Sequence, residues 1–193
     1  MKSKIGLYFG SFNPIHIGHL IIANNILQYT DLTQIWFVVS PHNPLKEKNT
    51  LLADHHRLAM VKIAIDDNPN FRVSDIEFNM PKPSYTVNTL AYLPDKYPNK
   101  EFALIMGADN IATFEKWKNY DVILQHYQIY VYPRINETPS KFINHTNIHF
   151  TKAPIIEISS SYIRQCIKEQ KDVTYLLPQS VYKYINEMMF YQK

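Results

Sequence analysis

The chain of 193 residues is expected to fold as an α/β protein, an open parallel sheet with helices on both faces. Three observations predict this. Short apolar runs recur along the sequence, segments with helical patterning separate them, and the motifs able to bind a ligand fall just after the runs. Strands alternating with helices build βαβ units whose crossovers cover both faces of a parallel sheet. In such sheets ligands bind beyond the carboxyl ends of the strands, near the point where strand order reverses.

Taken in order, Ile5–Phe9 reads as a buried strand, Gly10–Pro14 as a tight turn and Ile17–Tyr29 as a helix. His16 and His19 therefore fall where that helix begins. The first amides of a helix have no partner inside it and carry the positive end of the macrodipole, so a helix start collects anions. Residues three apart share a face, and imidazoles donate hydrogen bonds to phosphate oxygens. A lone histidine here would be read as a turn cap or a packing residue; two of them beside a glycine-bearing turn are read as a phosphate site. Ile35–Val39 is the second strand, leading into the proline-bounded segment Pro41–Lys46, and Asp54–Asp66 is a helix with Leu58, Val61 and Ile65 on one face. Phe71–Ile76 is a third strand, Thr86–Leu93 a short helix, and Phe102–Met106 a strand that ends at Gly107-Ala108-Asp109. Tyr120–Gln125 is helical, Ile129–Tyr132 a strand, and Ile148–Phe150 a weaker strand signal. Helices are expected again at Ser160–Lys168 and Pro178–Met188.

Ser159 and Ser160 suit the cap of the first of these late helices, with hydroxyls and amides able to face phosphate, and Arg164 lies one turn on. In isolation this is an ordinary capped helix with a solvated arginine; beside the histidine motif the phosphate reading is preferred. Asp109 can accept hydrogen bonds from a ribose diol, with metal ligation the weaker alternative. Trp117 is either a packing residue or a flat surface for an aromatic ring. Arg134, after a strand, either approaches a phosphate or ends the strand in water, the second being slightly favoured. The aromatics Tyr175, Tyr182, Tyr184, Phe190 and Tyr191 fit packing of the last helices better than ligand stacking.

Length and composition suit one domain, residues 1–193, with C-terminal helices at about 159–190 packed onto it. An apolar share of 46% and a charged share of 19% are those of a globular protein. The start, Met1-Lys2-Ser3-Lys4, lacks a signal-peptide pattern and no run is long enough to span a bilayer, so a cytoplasmic protein without membrane contact is expected. The net charge of +3 is too small for a nucleic-acid surface and fits an anionic small molecule. Cys166, the one cysteine, excludes an intrachain disulfide and reads as a packing residue. His55, His56, His126, His145 and His149 have no metal-ligand spacing. Homo-oligomerisation stays open.

With Gly10-Ser11-Phe12-Asn13-Pro14-Ile15-His16-Ile17-Gly18-His19 near its start and Ile158-Ser159-Ser160-Ser161-Tyr162-Ile163-Arg164 near its end, the chain resembles the HxGH nucleotidylyltransferase superfamily. Pro83-Ser84-Tyr85-Thr86-Val87-Asn88-Thr89-Leu90, Met106-Gly107-Ala108-Asp109 and Phe114-Glu115-Lys116-Trp117 make it similar, within that superfamily, to the bacterial nicotinate-nucleotide adenylyltransferases. The resemblance implies a Rossmann-like sheet of the nucleotidylyltransferase type. It further implies ATP with Mg2+, transfer of AMP to nicotinate mononucleotide, and release of deamido-NAD and pyrophosphate. Catalysis would then rest on His16, His19, Lys46 and Arg164. ATP binding would fall to Gly10, Ser11, Phe12 and Gly18 in the first turn, to Gly107 and Asp109, and to Ser159 and Ser160. Tyr85, Thr86 and Trp117 would receive the nicotinate, and no residue is assigned to a metal. Asn13 departs from the family, which more often has aspartate there; the turn is expected to survive the change.

Other readings are an acceptor other than nicotinate mononucleotide, namely nicotinamide mononucleotide or phosphopantetheine, and a non-catalytic nucleotide sensor. His16, the Ser84-Tyr85-Thr86 segment and Trp117 argue against phosphopantetheine. Class I aminoacyl-tRNA synthetases also carry a His-Ile-Gly-His string, but this chain has no room for a tRNA-binding apparatus.

Overall fold

The computed structural model describes residues 2–41, 51–135 and 140–192. Strands β1 (Ser3–Gly10), β2 (Gln34–Val39), β3 (Phe71–Ser74), β4 (Lys100–Gly107), β5 (Ile129–Tyr132) and β6 (Ile148–Phe150) form one sheet. Their order is β3-β2-β1-β4-β5-β6 and every pairing is parallel. Strand order reverses between β1 and β4, which pair directly, Leu7 opposite Leu104 and Tyr8 opposite Ile105. The turns leaving these two strands flank the crevice where open α/β sheets bind ligands.

The helices are α1 (Ile17–Tyr29), α2 (Asp54–Ala64), α3 (Thr86–Lys96), α4 (Ala108–Ile111), α5 (Tyr120–His126), α6 (Ser160–Lys168) and α7 (Gln179–Glu187). Alternation along each strand divides the interior into two cores. Tyr8, Ile35, Phe37, Ile105, Tyr130 and Tyr132 point to one face, under Ile22 and Ile26 of α1, Val61 of α2, Ile163 of α6 and Val181 of α7. Ile5, Leu7, Trp36, Leu104 and Val131 point to the other, under Leu90 and Leu93 of α3 and Ile123 of α5. Cys166 packs against the first core. Strands buried on both faces explain why the apolar runs are nearly continuous in sequence.

The expected elements are present, with changes at their ends. The third strand stops at Ser74 rather than Ile76, because the chain turns there: the Ser74 hydroxyl accepts the Ile76 amide at 3.4 Å and a 3-10 turn follows at Ile76–Asn79. Helix α3 runs on to Lys96 through Pro94, which cannot donate to the carbonyl of Leu90. That carbonyl is satisfied instead by the Tyr127 hydroxyl at 3.1 Å. The short helix α4 and the 3-10 turn Phe114–Lys116 carry no apolar period in sequence; they are set by the strand end at Gly107 and by burial of Ile111 and Phe114.

Candidate functional site

The turn from β1 into α1 is shaped by buried side chains. Phe12 has φ 45°, a left-handed conformation costly for a bulky residue, and its ring is fully buried in edge contacts with Tyr8, Phe37 and His19. Arg57 of α2 is also fully buried and donates to the backbone carbonyls of Ser11 (2.6 Å), Ser40 (2.8 Å), Pro41 (3.1 Å) and Leu52 (3.0 Å), with Asp54 as its counter-ion at 2.6 Å. One guanidinium thus fixes the exits of β1 and β2 together. Its role was hidden in sequence, where Asp54 and Arg57 look like an ordinary surface pair one turn apart.

His16 caps α1, which has no acidic residue in its first turn to neutralise the helix start. The His16 amide donates to Nδ1 of His19 at 3.2 Å, and the two rings lie 3.7 Å apart, tilted by 31°. With Nδ1 of His19 accepting, the proton of the neutral ring sits on Nε2, which makes that atom a donor. His16 is only 5% exposed, and among the described residues its Nδ1 has no hydrogen-bond partner. Burial, and secondarily the nearby Arg134 cation, lower its pKa to about 4, so the ring is neutral at physiological pH. Gly18 is a glycine for lack of space: a Cβ would stand 2.7 Å from Cγ2 of Ile156 and 3.0 Å from Nδ1 of His16.

Helix α6 closes on this turn from the far end of the chain. Ser159 is its cap and accepts the Tyr162 amide at 3.2 Å. Ser160 donates to the Pro14 carbonyl at 2.8 Å, and Arg164 donates to the Asn13 carbonyl at 2.8 Å and the Ser161 hydroxyl at 3.3 Å. Motifs far apart in sequence therefore share one cluster, the contacts from Ser160 to Pro14 and from Arg164 to Asn13 spanning 146 and 151 residues. On the other side of the crevice, Asp109 follows β4 with its carboxylate folded back over Gly107, where a Cβ would lie 2.3 Å from its Oδ1.

Arg134 corrects an expectation. Instead of ending β5 in water, it turns toward the crevice, with Nε 3.7 Å from Oδ1 of Asp109, Nη1 3.4 Å from the Ile156 carbonyl and Nη2 3.4 Å from the Tyr132 hydroxyl. Tyr132 in turn accepts from Tyr8 at 3.3 Å, so a polar line runs across the floor of the crevice. Burial, reinforced by Tyr132, pushes the Tyr8 phenol well above its usual pKa. No sequence spacing marks this line, because its members lie on or just after β1, β4 and β5, which are far apart in sequence.

Tyr85 caps α3 and Thr86 begins it, again with no acid in the first turn. Half-buried Trp117 packs edge-on against Phe114 at 5.6 Å, which is the packing reading. The next residue, Lys118, places its ammonium 4.4 Å from the Tyr85 ring centre, so the Trp117 segment lies beside the start of α3. Lys46 lies outside the described residues. Among the described residues no group of three or more histidine, cysteine, aspartate or glutamate side chains is placed to hold a metal, and Asp109 is engaged by Arg134. No helix among them is long and apolar enough to cross a membrane.

Comparison with known proteins adds to this geometry. A family model described as cytidylyltransferase-like matches residues 7–166. A Flavobacterium psychrophilum protein named "Probable nicotinate-nucleotide adenylyltransferase" is 59% identical over 192 residues, spanning 98% of this chain and 100% of its own. A protein of the same name from Bacteroides fragilis is 46% identical over 184 residues, 95% of this chain and 92% of its own. Among solved structures, Plasmodium falciparum nicotinic acid mononucleotide adenylyltransferase complexed with NaAD superposes with a TM-score of 0.82, covering 98% of both chains. At 21% identity, that likeness speaks for the fold.

Proposed function

The chain belongs to the cytidylyltransferase-like family and, within it, to the nicotinate-nucleotide adenylyltransferases, and we propose that it transfers AMP from ATP to nicotinate mononucleotide, forming deamido-NAD and pyrophosphate. The observation that carries this reading is the pair His16 and His19, 3.7 Å apart at the start of α1, beside the reversal of strand order. In the proposed reaction an oxygen of the mononucleotide 5′-phosphate attacks the α-phosphorus of ATP, and the bond to the β-phosphate oxygen breaks. The substrate brings its own nucleophile, so the protein aligns two polyanions and stabilises developing charge.

His19 then donates from Nε2 to the transferring phosphate, and neutral His16 packs against its ring at the helix start and holds it in place. The first-turn amides of α1 share that load. Ser159, Ser160 and Arg164 receive the departing phosphates: a guanidinium fork suits their oxygens, and its present partner, the Asn13 carbonyl, holds it in reach. Lys46 is assigned to the reacting phosphates on the family resemblance. Gly10, Ser11, Phe12 and Gly18 let the phosphates approach the turn, while Gly107 and Asp109 receive the ATP ribose, Arg134 orienting the carboxylate. Mg2+ enters as part of the ATP substrate complex, and no residue of the chain is assigned to it.

For the acceptor, the start of α3 at Tyr85 and Thr86, the indole of Trp117 and the adjacent Lys118 offer a flat face beside donors suited to a carboxylate. A nicotinamide presents no charge to those donors, which favours nicotinate. We treat residues 1–193 as one catalytic domain, with helices at about 159–190 completing the phosphate site, and place it in the cytoplasm with its soluble nucleotides. The test is product analysis: ATP, Mg2+ and nicotinate mononucleotide should yield deamido-NAD and pyrophosphate in equal amounts. Pyrophosphate or phosphate release without deamido-NAD would overturn the reading.

A further inference from the structure

We propose that Tyr191 is a positioning residue for the phosphate-binding turn, acting through the side chain of Asn13. Asn13 lies three residues before His16 and is 3% exposed. Its side-chain oxygen accepts the Tyr191 hydroxyl at 2.8 Å and the Leu52 amide at 3.2 Å, which uses both lone pairs. Its backbone oxygen accepts Arg164 at 2.8 Å. The segment entering α2, helix α6 and the segment after α7 thus converge on one residue of the turn. Leu52 is itself held by Arg57, which also holds Ser11, so the bonds form a closed set around the loop.

The segment carrying Tyr191 is built to deliver that hydroxyl. After α7 the chain turns back, the Phe190 amide donating to the Ile185 carbonyl at 3.0 Å, and the Phe190 ring packs 4.7 Å from His56. Tyr191 then takes φ 65°, a left-handed conformation that a bulky residue keeps only where its surroundings impose it. Burial raises the phenol pKa, with Arg164 and Arg57 opposing weakly, so the hydroxyl remains a donor throughout the working range of pH. Sequence reading assigns Tyr191 to packing alone; the hydroxyl does more.

The inference rests on the proposed role of the turn in binding phosphate, and the test separates the two. Tyr191→Phe keeps the ring and removes one hydrogen bond, so kcat should fall about tenfold with both KM values little changed. The loss should be shared with Asn13: in the double variant Asn13→Ala/Tyr191→Phe, kcat should be no lower than in Asn13→Ala alone. His19→Ala, assayed alongside, must lose turnover if the turn is the phosphate site at all. If His19→Ala is crippled but Tyr191→Phe turns over normally, or the two losses in the double variant multiply, the role of Tyr191 is overturned and the phosphate site stands. A Tyr191→Phe melting temperature lowered by more than about 4 °C with kcat unchanged would make the hydroxyl purely structural and overturn it equally. If His19→Ala keeps full turnover, the phosphate reading itself falls.

Discussion

His16 is kept neutral by burial and by the neighbouring Arg134, and this has a consequence for stability. The folded pKa of about 4 lies below the ordinary histidine value, so between about 4 and 6.5 the unfolded chain binds more protons than the folded one. Stability is therefore fully present above that window and lost as pH falls through it, an effect of about 3 kcal/mol. Urea denaturation at pH 7 and pH 4.5 should show this loss, and His16→Asn should remove that share of it. The chemistry of His19 differs: its Nδ1 accepts the His16 amide, so in the neutral ring Nε2 carries the donor proton. His19→Ala should reduce kcat by about a hundredfold or more while the KM for ATP changes little, read from initial rates. The two histidines were legible in sequence because three-residue spacing at a helix start is a local property. Arg57, Arg134 and Tyr191 were not, because each matters through partners brought in by the sheet: Arg57 reaches Ser11 and Ser40, Arg134 reaches Asp109, and Tyr191 reaches Asn13.

Among the elements, the connection from β3 into α3 shows how local rules yield to packing. Ile76 looks like the end of a strand, yet it starts a 3-10 turn that buries Glu77 to 2% exposure against Thr89 of α3, whose hydroxyl donates to it at 2.7 Å. Burial raises the Glu77 pKa, the hydrogen bonds from Thr89 and Ser40 opposing it. A raised folded pKa means that the ionised form opposes folding, so stability is lost as pH rises above the ordinary glutamate value and through the folded one. Glu77→Gln keeps the acceptor for Thr89 and removes the buried charge; it should raise the melting temperature at pH 8 and flatten its decline above pH 5, as followed by circular dichroism. The strands themselves were readable as apolar runs, since both faces of the sheet are covered. The small helical pieces at Ala108–Ile111 and Phe114–Lys116 were not, being too short for a period to register.

Across the whole molecule, the order β3-β2-β1-β4-β5-β6 brings the β1 exit, with its histidines, beside the β4 exit, with Asp109. Helix α6 then returns from late in the chain to bond the same turn through Ser160 and Arg164. The general site is thereby fixed by topology, whereas the choice of acceptor rests on the smaller surface of Tyr85, Thr86, Trp117 and Lys118. Steady-state pyrophosphate release with ATP and Mg2+ tests that choice most directly, with nicotinate mononucleotide, nicotinamide mononucleotide and phosphopantetheine supplied in parallel. The proposed chemistry predicts that kcat/KM for nicotinate mononucleotide exceeds that for nicotinamide mononucleotide by at least about tenfold, with no turnover of phosphopantetheine. Equal kcat/KM for the two pyridine nucleotides, or faster release with phosphopantetheine, would contradict it.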